Sequence, residues 1–394
     1  MRPGVVTGIG VVAPNGIGHE AYWAELLNGK SGIEPIADGV AGVVEGFEAS
    51  RYMPAQLVVR TDRWTQFGIA ATALALQDAG VDLETVSEYE IGVVTGSSSG
   101  GNEFGQREIG KLWTQGPAHV SAYQSIAWFY AATTGQLSIR YGARGPSCVV
   151  VTEQAAGLDA MAQARRVVRS GARLVMAGGT EAPLSPYALA CQRAGGRISA
   201  GADTERAFRP FDRLADGHVP GEGGAMFIVE DRPAAHRRPY GVVAGHASTF
   251  DPRPGSGGEP GLRRGIELAL ADAALPPEAV DVVFADAAAV PELDRQEAAA
   301  IEAVFGPYGV PVTAPKTMVG RLYAGGGALD IATALLAMRD SVIPPTTGVL
   351  DVPEQYRLDL VLEQPRTARL RTALVLARGR GGHNSAVVLT GELR

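Results

Sequence analysis

The sequence predicts an α/β protein made of two similar halves. Short Val-, Ile- and Gly-rich runs alternate with Ala-rich stretches, which is the pattern of strands alternating with helices. This pattern starts again after the Pro- and Arg-rich stretch 232–239, so a boundary between the halves is expected near residue 235. We therefore predict an N-terminal half over residues 1–235 and a C-terminal half over residues 236–394.

The individual elements follow from the composition and the period of each run. Strands are predicted in the Val- and Ile-rich runs Gly4–Val12, Ile91–Thr95, Arg173–Gly178, Ala225–Glu230, Val242–Ala247, Val280–Ala285, Ala373–Ala377 and Ser385–Thr390. Helices are predicted in the Ala-rich stretches Arg63–Ala79, Glu153–Ser170, Gly261–Ala273, Leu293–Phe305 and Gly326–Asp340. The Gly- and Pro-rich segment Asp251–Pro260 is predicted to be an exposed loop.

The charge and the composition argue against several kinds of protein. The chain of 394 residues has a formal net charge of −7, which gives no reason to expect nucleic-acid binding. No apolar run approaches the roughly 18 residues that a membrane span needs. No charged-then-apolar leader precedes the first predicted strand, and Cys148 and Cys191 do not indicate a disulfide framework. We expect a cytoplasmic protein without a metal or a cofactor.

Seven glycine-rich or charged motifs follow one another along nearly the whole chain. They are Val5–Gly16, Tyr141–Ser147, Ala177–Pro186, Arg209–Asp231, Val280–Glu297, Pro315–Asp330 and Gly379–Leu389. In this order they resemble the motifs of the condensing enzymes of the thiolase superfamily. The resemblance implies the duplicated five-layer αβαβα fold of that superfamily, which is normally dimeric.

The chain departs from the resemblance at the three positions that condensation needs. An active ketosynthase has a cysteine at a helix N-terminus, where the helix dipole favours the thiolate, and two histidines that assist decarboxylation and stabilise the enolate. Here Gln154 stands in place of the cysteine, and Asp286 and Arg321 stand in place of the two histidines. A glutamine amide has no nucleophile, so no acyl thioester can form and the chain is expected not to condense by itself.

One group of proteins within this superfamily is indicated by the glutamine at position 154 and by three further segments. The segments are REIGKLW (Arg107–Trp113), AWFYAATTGQ (Ala127–Gln136) and TEQAAGLDA (Thr152–Ala160). They resemble the chain length factors, or ketosynthase β subunits, of type II polyketide synthases. The resemblance implies an acyltransferase complex in which this chain and a catalytic ketosynthase α subunit form a heterodimer. Together they enclose a tunnel for a chain delivered on the phosphopantetheine of an acyl carrier protein.

Two groups of residues are candidates for the tunnel and for the partner interface. Ile109, Leu112 and Gly116 have the spacing of one helical face. The resemblance implies that this face borders the tunnel, and an ordinary core stripe is the alternative. Enlarging Gly116 to Trp is then expected to shorten the product. The run Trp128–Phe129–Tyr130 is expected to contact the partner, because aromatic residues are favoured at interfaces, with core packing as the alternative.

The replaced catalytic positions leave several roles open. Asp286 and Arg321 are expected to form a buried ion pair that fills the former site, unless both reach solvent. Gln154 either fills the cysteine pocket or holds a malonyl thioester for decarboxylation. His383, near the family's active site, is a candidate for acid–base work or an ordinary structural residue.

The favoured function is that of a chain length factor. A glutamine-dependent decarboxylase of malonyl carrier protein, which would prime synthesis, and a scaffolding pseudoenzyme are the alternatives.

Overall fold

The computed structural model describes residues 4–235, 237–253 and 255–391. Its helices are α1 (His19–Leu27), α2 (Ala55–Val59), α3 (Arg63–Ala79), α4 (Asn102–Gln115), α5 (Gln124–Ala127), α6 (Ala132–Tyr141), α7 (Ala156–Arg169), α8 (Pro186–Ala194), α9 (Leu262–Ala273), α10 (Pro291–Phe305) and α11 (Ala324–Asp340). Its strands are β1 (Gly4–Ala13), β2 (Gly16–Ile17), β3 (Ile33–Ile36), β4 (Gly39–Gly42), β5 (Ile91–Gly96), β6 (Ser147–Val150), β7 (Leu174–Glu181), β8 (Gly223–Asp231), β9 (Gly241–Phe250), β10 (Val282–Phe284), β11 (Pro311–Thr313), β12 (Val342–Ile343), β13 (Asp359–Leu360), β14 (Arg366–Thr367), β15 (Thr372–Arg378) and β16 (His383–Thr390). Every predicted strand and helix is confirmed, with ends shifted by a few residues.

The main sheet shows the same topology twice. Its strand order is β13-β11-β10-β15-β16-β9-β1-β8-β7-β5-β6, with β2 paired to β1. In the first half, β1-β8 and β8-β7 are antiparallel, and β7-β5 and β5-β6 are parallel. In the second half, β9-β16 and β16-β15 are antiparallel, and β15-β10 and β10-β11 are parallel. A short antiparallel pairing of β1 with β9 joins the two half-sheets.

Two helices pack against each other between the half-sheets. The central helices α7 and α11 contact each other; α7 covers β5 and β7, and α11 also contacts β15. On the outer faces, α3 covers β1 and β8, and α9 covers β9 and β16. The close approach needs glycine, because a Cβ on Gly157 would lie 2.4 Å from backbone atoms of Ala324 and Ala328. This order of layers is the predicted five-layer αβαβα fold.

One long excursion leaves the layered core between β5 and β6. Residues 102–141, called here the α4–α6 segment, contain three helices. Phe104 anchors the start of α4 in the protein, and its backbone N–H donates to Asp62 Oδ2 at 2.7 Å. Much of the rest of α4 is exposed. Among the residues described, no helix is long and apolar enough to cross a bilayer.

Candidate functional site

The N-terminal ends of the two central helices converge on the predicted site. Gln154 lies in a 3₁₀ turn, Glu153–Ala155, that leads directly into α7. Arg321 comes shortly before the first residue of α11, and Asp286 follows the end of β10. All three side chains are buried and line one small cavity. The structure therefore brings together the three positions at which the chain departs from an active ketosynthase.

Asp286 and Arg321 form a buried ion pair. Nη2 of Arg321 lies 2.8 Å and 3.0 Å from the two carboxylate oxygens of Asp286, and Nη1 donates to the Asp286 carbonyl at 2.9 Å. The guanidinium also donates to the Arg378 carbonyl at 3.1 Å, and the Arg378 N–H donates to the Asp286 carboxylate at 2.9 Å. Asp286 is 1% exposed and Arg321 is 7% exposed. The predicted ion pair is thus confirmed, and the alternative in which both side chains reach solvent is wrong.

The electrostatics of the pair favour the charged form of both partners. Burial opposes the ionisation of Asp286, but Arg321 and Lys316 together hold the pKa of that carboxyl below its usual value. Burial also disfavours the charged guanidinium, yet Asp286 raises the pKa of Arg321 above its usual value. Each charge therefore stabilises the other in the interior, and Lys316 adds to the stability of the Asp286 carboxylate.

Neighbouring charges hold the pair in place. Lys316 Nζ lies 2.7 Å from Asp330 Oδ2 and donates to the Asp286 carbonyl at 3.1 Å. Glu297 accepts the backbone N–H groups of Asp286 and Ala287 at 2.7 Å and 2.9 Å. Ala287 has a φ of 51°, a left-handed conformation that residues other than glycine rarely adopt. Burial, followed by the charge of Asp286, raises the pKa of Glu297 to about 7.

Little free space remains where a condensing enzyme holds its reacting groups. The cavity among Gln154, Asp286, Lys316 and Arg321 has a volume of about 10 Å³, roughly the minimum for one water molecule. A second cavity of about 120 Å³ is bordered by Gln154, Arg321 and the exposed loop residue Arg380. No cysteine lines either of these two cavities. The arrangement therefore offers no thiolate that could hold an acyl chain as a thioester.

His218 is a residue of the second cavity that sequence reasoning missed. It lines this cavity together with Gln154, Arg321 and Tyr323. Burial, followed by the nearby Arg321 guanidinium, lowers the pKa of His218 to about 3, so the imidazole is neutral at neutral pH. His218 lies within the motif Arg209–Asp231 that carries part of the resemblance. Nothing in the sequence distinguishes it from a loop histidine, because only the fold places it beside Arg321.

We expect His218→Phe to remove part of the acid sensitivity of folding. Below the usual pKa of 6.5 the unfolded chain binds a proton that the folded chain, with a pKa of about 3, excludes. The free energy of unfolding of the wild type therefore falls as the pH drops from about 6.5 towards about 3. Between about pH 6.5 and about pH 5, the wild type should lose about 1–2 kcal/mol more free energy of unfolding than His218→Phe. Denaturant titrations measure this difference, with the exposed His119→Phe as control, and equal losses in His218→Phe and the wild type would contradict the prediction.

The candidate tunnel residues do not all lie on one helix. Ile109 and Leu112 are on α4, whereas Gly116 follows the end of that helix with a φ of 95°. A larger side chain at Gly116 would strain the backbone in this left-handed conformation. The prediction of one helical face is therefore wrong at Gly116, because the chain turns there into the segment Pro117–His119. Ile109 and Leu112 are exposed, so the alternative of a core stripe is also wrong.

The aromatic run at 128–130 lies on the outside of the α4–α6 segment. Trp128, Phe129 and Tyr130 are all exposed, Phe129 to 53%. The Trp128 carbonyl accepts the N–H of Gly101 at 3.2 Å, so the run lies next to the start of α4. Trp113 on α4 is 80% exposed. The alternative in which the aromatic run packs in the core is therefore wrong.

His383 is not part of this site. It is buried at the start of β16, where its Nε2 lies 2.9 Å from the carboxylate of Asp159. The same carboxylate contacts His246 Nε2 at 3.0 Å and accepts from the Ser385 hydroxyl at 2.7 Å. His383 is not among the residues that line the two cavities at Gln154. Its contacts are those of a structural residue that joins α7 to the second half-sheet.

Comparisons with known proteins agree with this geometry. Residues 1–235 match the family model of the beta-ketoacyl synthase N-terminal domain, and residues 240–350 match that of the C-terminal domain. The chain is 53% identical to the actinorhodin polyketide putative beta-ketoacyl synthase 2 of Streptomyces coelicolor, and 98% of each chain is covered. It is 55% identical, again over 98% of each chain, to the tetracenomycin polyketide synthase ketoacyl synthase beta subunit of Streptomyces glaucescens. The chain belongs to the polyketide ketosynthase β subunits of the beta-ketoacyl synthase family.

Solved structures show the same fold for this β subunit. The ishigamide ketosynthase/chain length factor superposes with a TM-score of 0.91 at 25% identity, and both chains are covered completely. A type II polyketide synthase ketosynthase, solved with its acyl-carrier protein, has a TM-score of 0.89 at 26% identity and covers 99% of this chain. The predicted thiolase-like fold is therefore confirmed at the level of the whole chain.

Proposed function

We propose that this β subunit is a chain length factor, the non-condensing partner of a catalytic ketosynthase. One observation carries the proposal: Gln154 and a buried Asp286–Arg321 pair occupy the place where condensation needs a thiolate and two imidazoles. A chain without these groups cannot elongate a polyketide alone. Its contribution to the acyltransferase complex is then the shape of the space in which the polyketide held by the partner subunit grows.

The outer surface of the chain supports pairing with a catalytic ketosynthase subunit. The α4–α6 segment exposes several large apolar side chains, which in water would favour burial against another protein. Among the strands of the described residues, β6 lies at an edge of the main sheet and pairs with β5 alone, so its other side presents backbone groups that none of these strands pairs. Partner binding would cover both features. The growing chain would reach the heterodimer on the phosphopantetheine of an acyl carrier protein. For this complex we propose a cytoplasmic location.

The geometry favours this function over a decarboxylase that acts through Gln154. An enolate formed by decarboxylation needs nearby donors, and the two imidazoles that supply them in active ketosynthases are replaced here. The guanidinium of Arg321 already donates to Asp286 and Arg378, so it is not free to replace them. Decarboxylation of malonyl carrier protein by the isolated chain, lost in Gln154→Ala, would favour the decarboxylase. A product unchanged when this chain is left out would favour a scaffold.

Enlarging Leu112 to tryptophan is expected to shorten the polyketide. Leu112 is a better test position than Gly116, because it has helical backbone geometry that accepts a large side chain without strain. If α4 borders the tunnel, the larger ring fills space that the growing chain would occupy. We expect the main product of the co-expressed heterodimer, identified by mass spectrometry, to lose one or more two-carbon units.

Thr114→Trp is the matched control for this test. Thr114 is exposed on the same helix, but it lies about 200° around the helix axis from Leu112. The control variant should therefore make the product of the wild type. An unchanged product from Leu112→Trp in an intact heterodimer would contradict the proposal that α4 shapes the tunnel.

A further inference from the structure

Glu108 is a buried carboxylate on an otherwise exposed part of α4. The residue is 1% exposed, although most of the neighbouring positions of the helix face solvent. One carboxylate oxygen accepts the backbone N–H of Ser121 at 2.8 Å. The other accepts from Lys111 Nζ at 2.9 Å and from Arg107 Nε at 3.3 Å. All the hydrogen bonds of Glu108 side-chain oxygens found in the described part of the chain are therefore within the α4–α6 segment.

These contacts are suited to a charged carboxylate. Burial by itself would raise the pKa of Glu108, but Lys111, the Ser121 N–H and Arg107 outweigh it and lower the pKa below its usual value. A buried carboxylate that lost these donors would be left without its water and without partners. The charge of Glu108 thus stabilises one particular arrangement of the chain around it.

The hydrogen bond from the Ser121 N–H to Glu108 closes an arc of the chain, residues 109–120. This arc contains every candidate tunnel residue. Glu108 and Ser121 are 13 positions apart, and Ile109, Leu112 and Gly116 all lie between them. At Gly116 the chain leaves α4 through a left-handed turn, so α4 alone does not determine where the chain returns. The Ser121 carbonyl then accepts an N–H near the start of α5, which precedes the aromatic run.

We infer that Glu108 is a positioning residue for chain-length control. By holding the N–H of Ser121 from inside the arc, it keeps residues 109–120 in one shape and thereby sets the wall of the tunnel that these residues border. Glu108 contacts neither substrate nor partner in this role and acts only through the arc. The inference rests on the proposed function, since it assumes that the arc borders the tunnel.

Glu108→Gln tests this inference with little change in shape. The amide keeps one acceptor oxygen, but it loses the charge and presents an N–H₂ group to cationic donors. Glu103→Gln is the matched control, because Glu103 is exposed on the same helix and its replacement removes the same charge. Each variant is co-expressed with a catalytic ketosynthase subunit and supplied with malonyl-loaded carrier protein. Heterodimer yield, product lengths and hydrogen exchange of residues 109–120 are then measured.

We expect Glu108→Gln to form the heterodimer at the yield of Glu103→Gln and to lose control of length. The ratio of other lengths to the wild-type length should rise by roughly tenfold, the order expected when a buried hydrogen bond to a charged group is lost. Exchange in the arc should be faster in Glu108→Gln only. An unchanged product ratio would overturn the inference, as would loss of the heterodimer in Glu108→Gln alone. Failure of the wild-type chain to pair with the catalytic subunit would instead overturn the proposed function. In that case the inference could still be tested on the isolated chain, where unchanged hydrogen exchange of the arc in Glu108→Gln would overturn it.

Discussion

Replacing Asp286 with alanine is expected to lower the free energy of unfolding by about 3–5 kcal/mol, the usual cost of leaving one charge of a buried pair uncompensated. The guanidinium of Arg321 would lose both carboxylate contacts while it remains 7% exposed. The Arg378 N–H would also lose its acceptor. Denaturant titration of the variant and the wild type at neutral pH measures the difference.

Two further variants separate this effect from the general cost of removing a charge. Glu267→Ala breaks the exposed pair with Arg263, whose atoms are 2.9 Å apart, and should cost at most about 0.5 kcal/mol. The double replacement Asp286→Leu with Arg321→Met removes both buried charges and should restore most of the stability. A loss below about 1 kcal/mol for Asp286→Ala would contradict a buried, mutually dependent pair.

Placing a charge at Phe129 is expected to weaken the heterodimer severely. Phe129 is 53% exposed in the isolated chain and belongs to the aromatic run that we assign to the partner interface. A central aromatic residue of an interface contributes about 2 kcal/mol or more, so Phe129→Glu should raise the dissociation constant by at least about 30-fold. Titration of the variant chain against a labelled catalytic ketosynthase subunit measures this constant.

Leu268→Glu is the control for this prediction. Leu268 is also an exposed apolar residue, but it lies on α9, which covers the outer face of the second half-sheet. Its replacement should leave the dissociation constant near that of the wild type. If Phe129→Glu bound the partner as well as Leu268→Glu does, the aromatic run would not be part of the interface.

The fold could be predicted from the sequence because its larger elements carry their own signals. Long apolar strands and Ala-rich helices have a clear composition and period, whereas two-residue strands such as β12 and β14 are too short to show either. Element ends were less predictable. The helix predicted from Glu153 begins at Ala156, because Glu153 has a φ of 55° that no α-helix accepts. The helix predicted from Leu293 begins at Pro291, since proline is favoured in the first turn of a helix.

The site could be predicted only where a motif marks it. Gln154, Asp286 and Arg321 stand at motif positions, and their proximity follows once the fold of the family is assumed. Gly116 and Glu108 have no such mark. Whether a glycine ends a helix or continues it, and whether a glutamate is buried or exposed, depends on the return path of the chain. Tertiary structure alone supplies that path.

Co-expression with a catalytic ketosynthase subunit, followed by measurement of the size and stoichiometry of the complex, tests whether this chain is a heterodimer partner. We expect a stable one-to-one heterodimer, in which the apolar surface of the α4–α6 segment is covered by the partner. Light scattering of the purified material, with the subunit ratio read from intact-protein mass spectrometry, gives both quantities. A stable homodimer of this chain that does not bind the partner would contradict the proposed function and would make Gln154 the next residue to test for decarboxylation.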